Sequence, residues 1–312
     1  MSVVKKDIRA LSKDDLMAFF TQNSAKAFRG KQVYEWLWKK GVHRFEDMTN
    51  ISKQNRQLLE ASFTINHIEV DTMQRSSDGT VKNAVRLHDG LIVESVLIPT
   101  AKRTTACVSS QVGCSLDCKF CATSRLKRMR NLNPDEIYDQ VVAIDKITSD
   151  EGLGMSPKRI VVSTSGIPKM IKKMAEDAVK FNLAVSLHSA IDEVRTQIMP
   201  FNKSFPLKEL REALEFWYAK TKRRITYEYV VWEGVNDKTK DILALIDFCK
   251  FAPSKVNLIE YNPIDDGIFQ QAKPSVIDQY VSMLEAKNIT VTVRRSRGKD
   301  IDAACGQLAN KA

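Results

Sequence analysis

Residues 107–131 read CVSSQVGCSLDCKFCATSRLKRMRN. Four of the six cysteines fall within fifteen residues, and Cys114, Cys118 and Cys121 are spaced C-x3-C-x2-C. Three thiolates on one tight loop can wrap one side of a cubane iron–sulfur cluster. The fourth iron is then left without a protein ligand, open to a small molecule; the common four-cysteine ferredoxin run is spaced differently. Structural zinc is the weaker reading, because it usually takes four closed ligands as paired C-x2–4-C units and the second pair is missing. Cys249, inside IDFCKF, reads as a small core hydrophobe. Cys107 stands seven residues upstream of Cys114, and Arg125, Lys127, Arg128 and Arg130 follow Cys121.

Outward from this loop the chain falls into three parts. Residues 14–24, 31–40 and 52–62 have helical periodicity, with Val33, Trp36 and Leu37 on one face and a turn at Phe28-Arg29-Gly30. Trp36 and Trp38 could stack on bases, although helical spacing puts Trp36 in a core. Asp89-Gly90 between two alternating runs predicts a β-hairpin over 81–99. From about residue 104, strands (105–110, 159–164, 181–187, 225–232, 255–260, 289–294) alternate with helices (134–149, 167–178, 207–221, 238–251, 274–287), and Pro134 is a good first helical residue. Alternation of this kind means an α/β fold with a parallel sheet, curled or open, whose active face lies at the C-terminal strand ends. Ser163, Ser186, Leu187, His188 and Asn262 fall at those ends. The expected domains are a helical unit over 1–80, a hairpin connector over 81–103 and a barrel over 104–312.

The composition agrees with such a fold. The chain has 312 residues, 43% hydrophobic and 28% charged, ordinary for a soluble protein. No apolar run approaches the roughly 20 residues that span a bilayer. The N-terminus lacks the apolar region of a secretory signal. A reducing cytoplasm is therefore expected, with no membrane partner and no disulfide framework. Lysine and arginine outnumber the acids 48 to 38, a net charge of +10, which favours a polyanion such as nucleic acid. His43, His67 and His88 have no clustered partners and receive no role.

Three motifs in order carry a resemblance to a known family: VESVLIP (93–99), CVSSQVGCSLDCKFCAT (107–123) and RRSRGKDIDAACGQL (294–308). Together they resemble the RlmN/Cfr family of radical S-adenosylmethionine RNA methyltransferases, over nearly the whole chain, and the helical N-terminal unit resembles that family's accessory domain. The resemblance implies a partial (β/α) barrel, a [4Fe–4S] cluster on Cys114, Cys118 and Cys121, and S-adenosylmethionine chelating the open iron. It implies methylation of carbon 2 of adenine 2503 in 23S rRNA and of adenine 37 in some tRNAs by a monomer that draws on a reducing electron donor. Carbon 8 is the alternative position. Cys305 would take the methyl group, the S-methyl would become a carbon radical and add to the base, and Glu94 would accept the ring proton. Cys107 would then release the product by closing a disulfide with Cys305. Ser163, Ser186, Leu187, His188 and Asn262 carry over as S-adenosylmethionine contacts. The glycines around Cys305 suggest a tail that can move. The basic runs at Arg125–Arg130 and at Arg294, Arg295, Arg297 and Lys299 would flank the RNA, whose target base must leave its stack.

The chain departs from the family at one place. The family's strand ending in Gly-x-Gly-Glu-Pro, which holds the amino end of S-adenosylmethionine, is not found. Helix 134–149 runs on toward EGLGMS, whose Gly152 and Gly154 fit a loop. One barrel strand–helix unit is expected to be missing near Ala143–Lys146, leaving a catalytically impaired iron–sulfur RNA-binding variant as a rival reading.

Overall fold

The computed structural model describes residues 5–101, 103–148, 159–264 and 268–309. The EGLGMS loop with Gly152 and Gly154 lies outside them.

The N-terminal unit is helical, as expected. Strand β1 (Lys6–Asp7) precedes helices α1 (Lys13–Gln22), α2 (Phe28–Trp38) and α3 (Lys53–Ser62), and β2 (Phe63–Thr64) pairs parallel with β1. Ser12 and Asp15 form a reciprocal capping box at the start of α1, and Ser52 Oγ caps α3, both satisfying amides that a helix start leaves unpaired. Ile8, Leu16, Phe20, Val33, Leu37, Met48 and Leu59 make the core. The turn read at Phe28–Gly30 is corrected: these residues are the first turn of α2. Gly30 is buried there, and a Cβ on it would lie 2.4 Å from the Met17 amide nitrogen. Helices α1 and α2 therefore cross backbone to backbone, which only glycine permits. Trp36 is half-buried, with its indole N–H on Asn50 Oδ1 (2.5 Å).

The hairpin is the centre of a four-stranded antiparallel sheet, β3 (Glu69–Arg75), β4 (Val81–Arg86), β5 (Ile92–Thr100) and β6 (Arg103–Cys107), in that order. Gly90 takes φ +80° in the Asp89-Gly90 turn. Strand β6 corrects another expectation. The first candidate strand of the parallel sheet instead folds back on β5 through a short turn and pairs antiparallel with it, Val96 opposite Cys107. Strands β7 (Gln111–Val112) and β8 (Arg130–Asn131) pair with each other and close the base of the cysteine loop. Helix α4 (Pro134–Thr148) follows.

The C-terminal half is a five-stranded parallel sheet in the order β13 (Thr290–Arg294), β12 (Ser254–Ile259), β11 (Ile225–Val230), β10 (Asn182–Ser186), β9 (Val161–Thr164). Helices α5 (Pro168–Glu176), α6 (Asp192–Ile198), α7 (Leu207–Thr221), α8 (Thr239–Cys249) and α9 (Pro274–Glu285) connect the strands. Alternation divides each strand. Leu183, Val185, Tyr227, Tyr229, Val256 and Leu258 join Leu214, Trp217, Leu245, Cys249 and Leu284 in one apolar core. Thr226, Glu228, Asn257 and Arg294 take the other face, by the period of two. The sheet is a partial barrel: among the described residues β9 pairs only with β10 and β6 only with β5. Val161, on the β9 edge, is 55% exposed.

Helix α4 ties the parts together. Buried Arg9 reaches Asp139 at 2.6 Å and Asp135 at 3.3 Å. Tyr138 donates to the Trp38 carbonyl (2.6 Å) and its ring packs edge-on against that indole.

Candidate active site

The cysteine loop is an excursion from the β7/β8 stem. Gly113 has φ +67°, and a Cβ there would fall 2.1 Å from the Lys127 carbonyl oxygen, so the two arms of the loop close only over glycine. The Cys114 amide donates to Leu126 O (3.1 Å) and the Cys121 amide to Cys118 O (3.2 Å). Ser124 Oγ lies 2.6 Å and 2.7 Å from the Cys118 and Cys121 carbonyls. Cys114, Cys118 and Cys121 are free and partly exposed. Burial pushes the Cys118 thiol up to about 12, the neighbouring Cys121 and Cys114 thiolates add to this, and Arg195 opposes it.

The C-terminal tail packs directly on this loop. Ala122 N donates to Gly306 O (2.7 Å) and Thr123 Oγ1 to Leu308 O (2.5 Å). Asn262, at the end of β12, donates from Nδ2 to the Cys305 carbonyl (3.2 Å). The charges of Cys107, Cys121, Glu228 and Arg294 all act on the Cys305 thiol. Both Cys107 and Cys305 are reached by solvent and both are free, yet protein atoms crowd each sulfur. Crowding first, then the Cys107 and Cys121 charges, lift the Cys305 thiol to about 12, while Arg294 pulls the other way. Crowding also raises Cys107. The glycine before Cys305 serves packing rather than freedom. Gly298 has φ +66°, a Cβ on it would meet Ala303 Cβ at 2.8 Å, and its amide donates to Asp78 Oδ2 (3.0 Å).

Glu94 lies on the same sheet face as Cys107, because β5 and β6 place Cys107 opposite Val96, two residues on. Its carboxylate is buried and lies 3.5 Å from Lys82 Nζ, also buried. Ser109 Oγ donates to its carbonyl (2.8 Å).

The strand-end residues gather around the loop unevenly. Ser163 is exposed on β9, and Ser186 ends β10 half-buried. Leu187 is wholly buried, with its side chain in the apolar core, so only its backbone can face a ligand. His188 is buried with φ +55°. The Val230 amide donates to its Nδ1 (3.1 Å), and Asn236 Nδ2 donates to its carbonyl (2.7 Å). Burial, with Arg195 adding, lowers His188 to about 3, so it is a neutral acceptor. Phe120, between two of the cysteines, packs edge-on against the His188 ring at 4.8 Å and tilted against Trp232 at 5.1 Å. Sequence reading missed Phe120, Lys82, Trp232 and Arg195; none carries a spacing signature.

Several of the cations first assigned to RNA are engaged within the chain. Arg130 holds Asp89 and Glu136, each at 2.7 Å. Arg297 donates to the Asp78 and Pro99 carbonyls, Lys299 pairs with Glu260 at 2.7 Å, and Arg294 lies 3.6 Å from Glu228. Lys127 and Arg295 are exposed. No helix among the described residues is long and apolar enough to cross a membrane.

The donor chemistry fits the implied groups. Among the described residues no three His, Cys, Asp or Glu side chains converge on one point as a single metal ion requires, whereas a cubane spreads its thiolates over separate irons. Asn262 Oδ1 is buried beside Cys305 with no hydrogen-bond partner among the described residues, an acceptor waiting for a ligand N–H or O–H.

The comparisons with known proteins agree with this geometry. Residues 6–65 match the family described as "Ribosomal RNA large subunit methyltransferase N-terminal domain". The chain is 68% identical to a "Probable dual-specificity RNA methyltransferase RlmN" of Flavobacterium psychrophilum, covering 100% of this chain and 99% of the relative. It is 40% identical to the "Dual-specificity RNA methyltransferase RlmN" of Geotalea uraniireducens, covering 98% and 97%. The crystal structure of a radical SAM methyltransferase from Sphaerobacter thermophilus superposes with a TM-score of 0.87 at 31% identity, over 97% of this chain and 99% of that one. The Flavobacterium alignment runs over 345 positions against 312 residues here, so at least 33 (345 less 312) of the relative's positions have no counterpart.

Proposed function

The chain belongs to the RlmN family of dual-specificity RNA methyltransferases, and from that premise we propose that it methylates carbon 2 of an adenine in 23S rRNA and in some tRNAs. Cys114, Cys118 and Cys121 would hold a [4Fe–4S] cluster, and Ser163, Ser186, the Leu187 backbone, His188 and Asn262 would line the S-adenosylmethionine site. Bound there, these groups supply a methyl group and a carbon radical; the protein orients both.

The supporting observation is the packing of the tail on the cysteine loop, Ala122 N donating to Gly306 O, with Asn262 donating to the Cys305 carbonyl and the Cys107 and Cys121 charges acting on the Cys305 thiol. Cys305 Sγ carries the methyl carbon to the base as a covalent link. Arg294, the neighbouring cation, favours its thiolate form. Glu94 takes the ring proton, and Lys82 holds its carboxylate in place. Cys107 Sγ, as a thiolate, then attacks Cys305 Sγ. The sulfur–carbon bond breaks, its electron pair goes to the bridging carbon, which takes up a proton to become the methyl group, and an external reductant reopens the disulfide. The net charge of +10 suits an RNA partner, and a cytoplasmic monomer fits these roles.

Anaerobic reconstitution with S-adenosylmethionine and reductant tests the reading. Expected are 5′-deoxyadenosine, an S-methyl mark on Cys305 and 2-methyladenosine in digested RNA; 8-methyladenosine would instead mean attack at the other ring carbon. Cys305→Ala should remove both marks, and Cys107→Ala should leave RNA crosslinked to the protein. An iron-free preparation, or undiminished methylation by Cys305→Ala, would overturn it. The unpaired edges of β6 and β9 favour one qualification as a second reading: a chain that assembles its cluster but binds S-adenosylmethionine weakly and turns over slowly.

A further inference from the structure

Beneath the cysteine loop lies a side chain to which the chemistry above gives no task. Arg195, in the middle of α6, is fully buried. Its Nε donates to Leu187 O (3.1 Å) and its Nη1 to Asn202 Oδ1 (2.5 Å). Its Nη2 donates to Ser165 O (2.7 Å) and Ser186 O (3.3 Å). Three of these four acceptors are main-chain carbonyls of the stretches Ser163–Gly166 and Ser186–His188. One planar fork therefore fastens two adjacent strand ends to each other, a geometry an ammonium cannot reproduce. Gly166, at φ +103°, makes room for it: a Cβ there would sit 3.1 Å from Leu210 Cδ1 and 3.4 Å from Arg195 Nη2.

The charge of this fork also lacks an obvious partner. Among the described residues no carboxylate forms a salt bridge with Arg195. Asp192 is reached only through Asn202, whose Nδ2 donates to Asp192 Oδ1 (2.9 Å). The other group whose charge would act on Arg195 is Cys118, as a thiolate. Cys118 packs with Val194, Ile198 and Phe201 around the α6 end, and the Lys119 amide donates to Ile198 O (3.0 Å). A buried, unpaired cation is costly. An anionic cluster held through Cys118 would offset that cost.

We infer that Arg195 is a positioning residue with two tasks: its fork holds the strand ends that line the S-adenosylmethionine site, and its charge offsets that of a cluster bound through Cys118. The inference rests on the reading under Proposed function. A fixed positive charge near a cluster favours the reduced state, so the two tasks have separate readouts.

The test compares wild type, Arg195→Met and Arg195→Lys after anaerobic reconstitution, by electron paramagnetic resonance at a fixed mediator potential and by titration with S-adenosylmethionine. In Arg195→Met the reduced-to-oxidised ratio should fall roughly tenfold, as expected for loss of one nearby charge. The S-adenosylmethionine needed to change the spectrum should rise roughly tenfold, about the loss of one or two charge-assisted hydrogen bonds. Arg195→Lys should restore the ratio but not the affinity. Variants indistinguishable from wild type in both readouts would overturn the inference. If Arg195→Met takes up no cluster, Arg195→Lys decides: a wild-type titration overturns the fork's role, and a weakened one upholds it. A wild-type protein that binds no iron, or is blind to S-adenosylmethionine, sinks the underlying reading instead.

Discussion

Glu94 and Lys82 show how one residue's setting can escape sequence reading. Glu94 stands out within VESVLIP, but its partner lies twelve residues upstream on the neighbouring strand, and only the β4/β5 register makes them diagonal neighbours. Removing one member of a buried pair takes that counter-charge from the other, at a cost of about 3 kcal/mol or more. Lys82→Met should therefore destabilise the protein by about that much, and Lys82→Met with Glu94→Gln by less, in a denaturant-unfolding double-mutant cycle. A double variant no more stable than the single one would show that the pair is not the source. His188 makes a pH-dependent counterpart. Its folded pKa, about 3, lies below the ordinary 6.5 because burial disfavours the charged ring. The unfolded chain therefore binds the extra proton as pH falls below 6.5, and stability present above 6.5 is lost progressively toward 3. His188→Asn keeps an acceptor for the Val230 amide and tolerates the positive φ. It should flatten the decline in Tm between those pH values.

Among the elements, periodicity located the helices and parallel strands because their apolar faces are continuous. It failed where tertiary contact decided the structure. Gly30 reads as a turn residue, yet the Met17 and Leu16 backbone lies where its side chain would be, so it sits inside α2 as the helix crossing point. Gly30→Ala must push α1 and α2 apart; overpacking of this kind costs about 2 kcal/mol, and the fall in Tm should exceed that of Gly90→Ala, whose Cβ meets nothing and whose cost is the left-handed φ alone. Strand β3, GluValAspThrMetGlnArg, was invisible because all seven residues are exposed; an outer strand with no buried face shows no alternation. Helix α6 was missed because seven residues are too few for a period. The cysteine loop was legible at once, since its chemistry depends on local spacing. The packing of Cys305 on that loop depends on Asn262 and Gly306 contacts that no local pattern carries.

For the whole molecule, the decisive feature is the pair of unpaired strand edges. Strand β6 belongs to the antiparallel sheet, β9 ends the parallel one, and nothing among the described residues hydrogen-bonds between them. At least 33 positions of the Flavobacterium relative are unmatched here, enough for one strand and one helix. Those two facts agree with a missing unit between the start of α4 and β9. The cost reaches the active site, because Ser163 sits on the unsupported strand, whose end is fastened to Ser186 by the Arg195 fork through the Ser165 carbonyl. A displacement of about 1 Å at such a contact can reduce the rate roughly a hundredfold. Grafting the relative's unmatched segment between Ala143 and Lys146 should therefore bury the β9 edge, raise Tm and tighten S-adenosylmethionine binding roughly tenfold or more. Iron content should stay unchanged, since Cys114, Cys118 and Cys121 lie on a separate stem. Equilibrium dialysis of both chains measures the affinity and iron analysis the loading. Equal affinity in the two chains would mean that the remaining strands already hold the site in its working geometry, and that the open edge is a matter of stability alone.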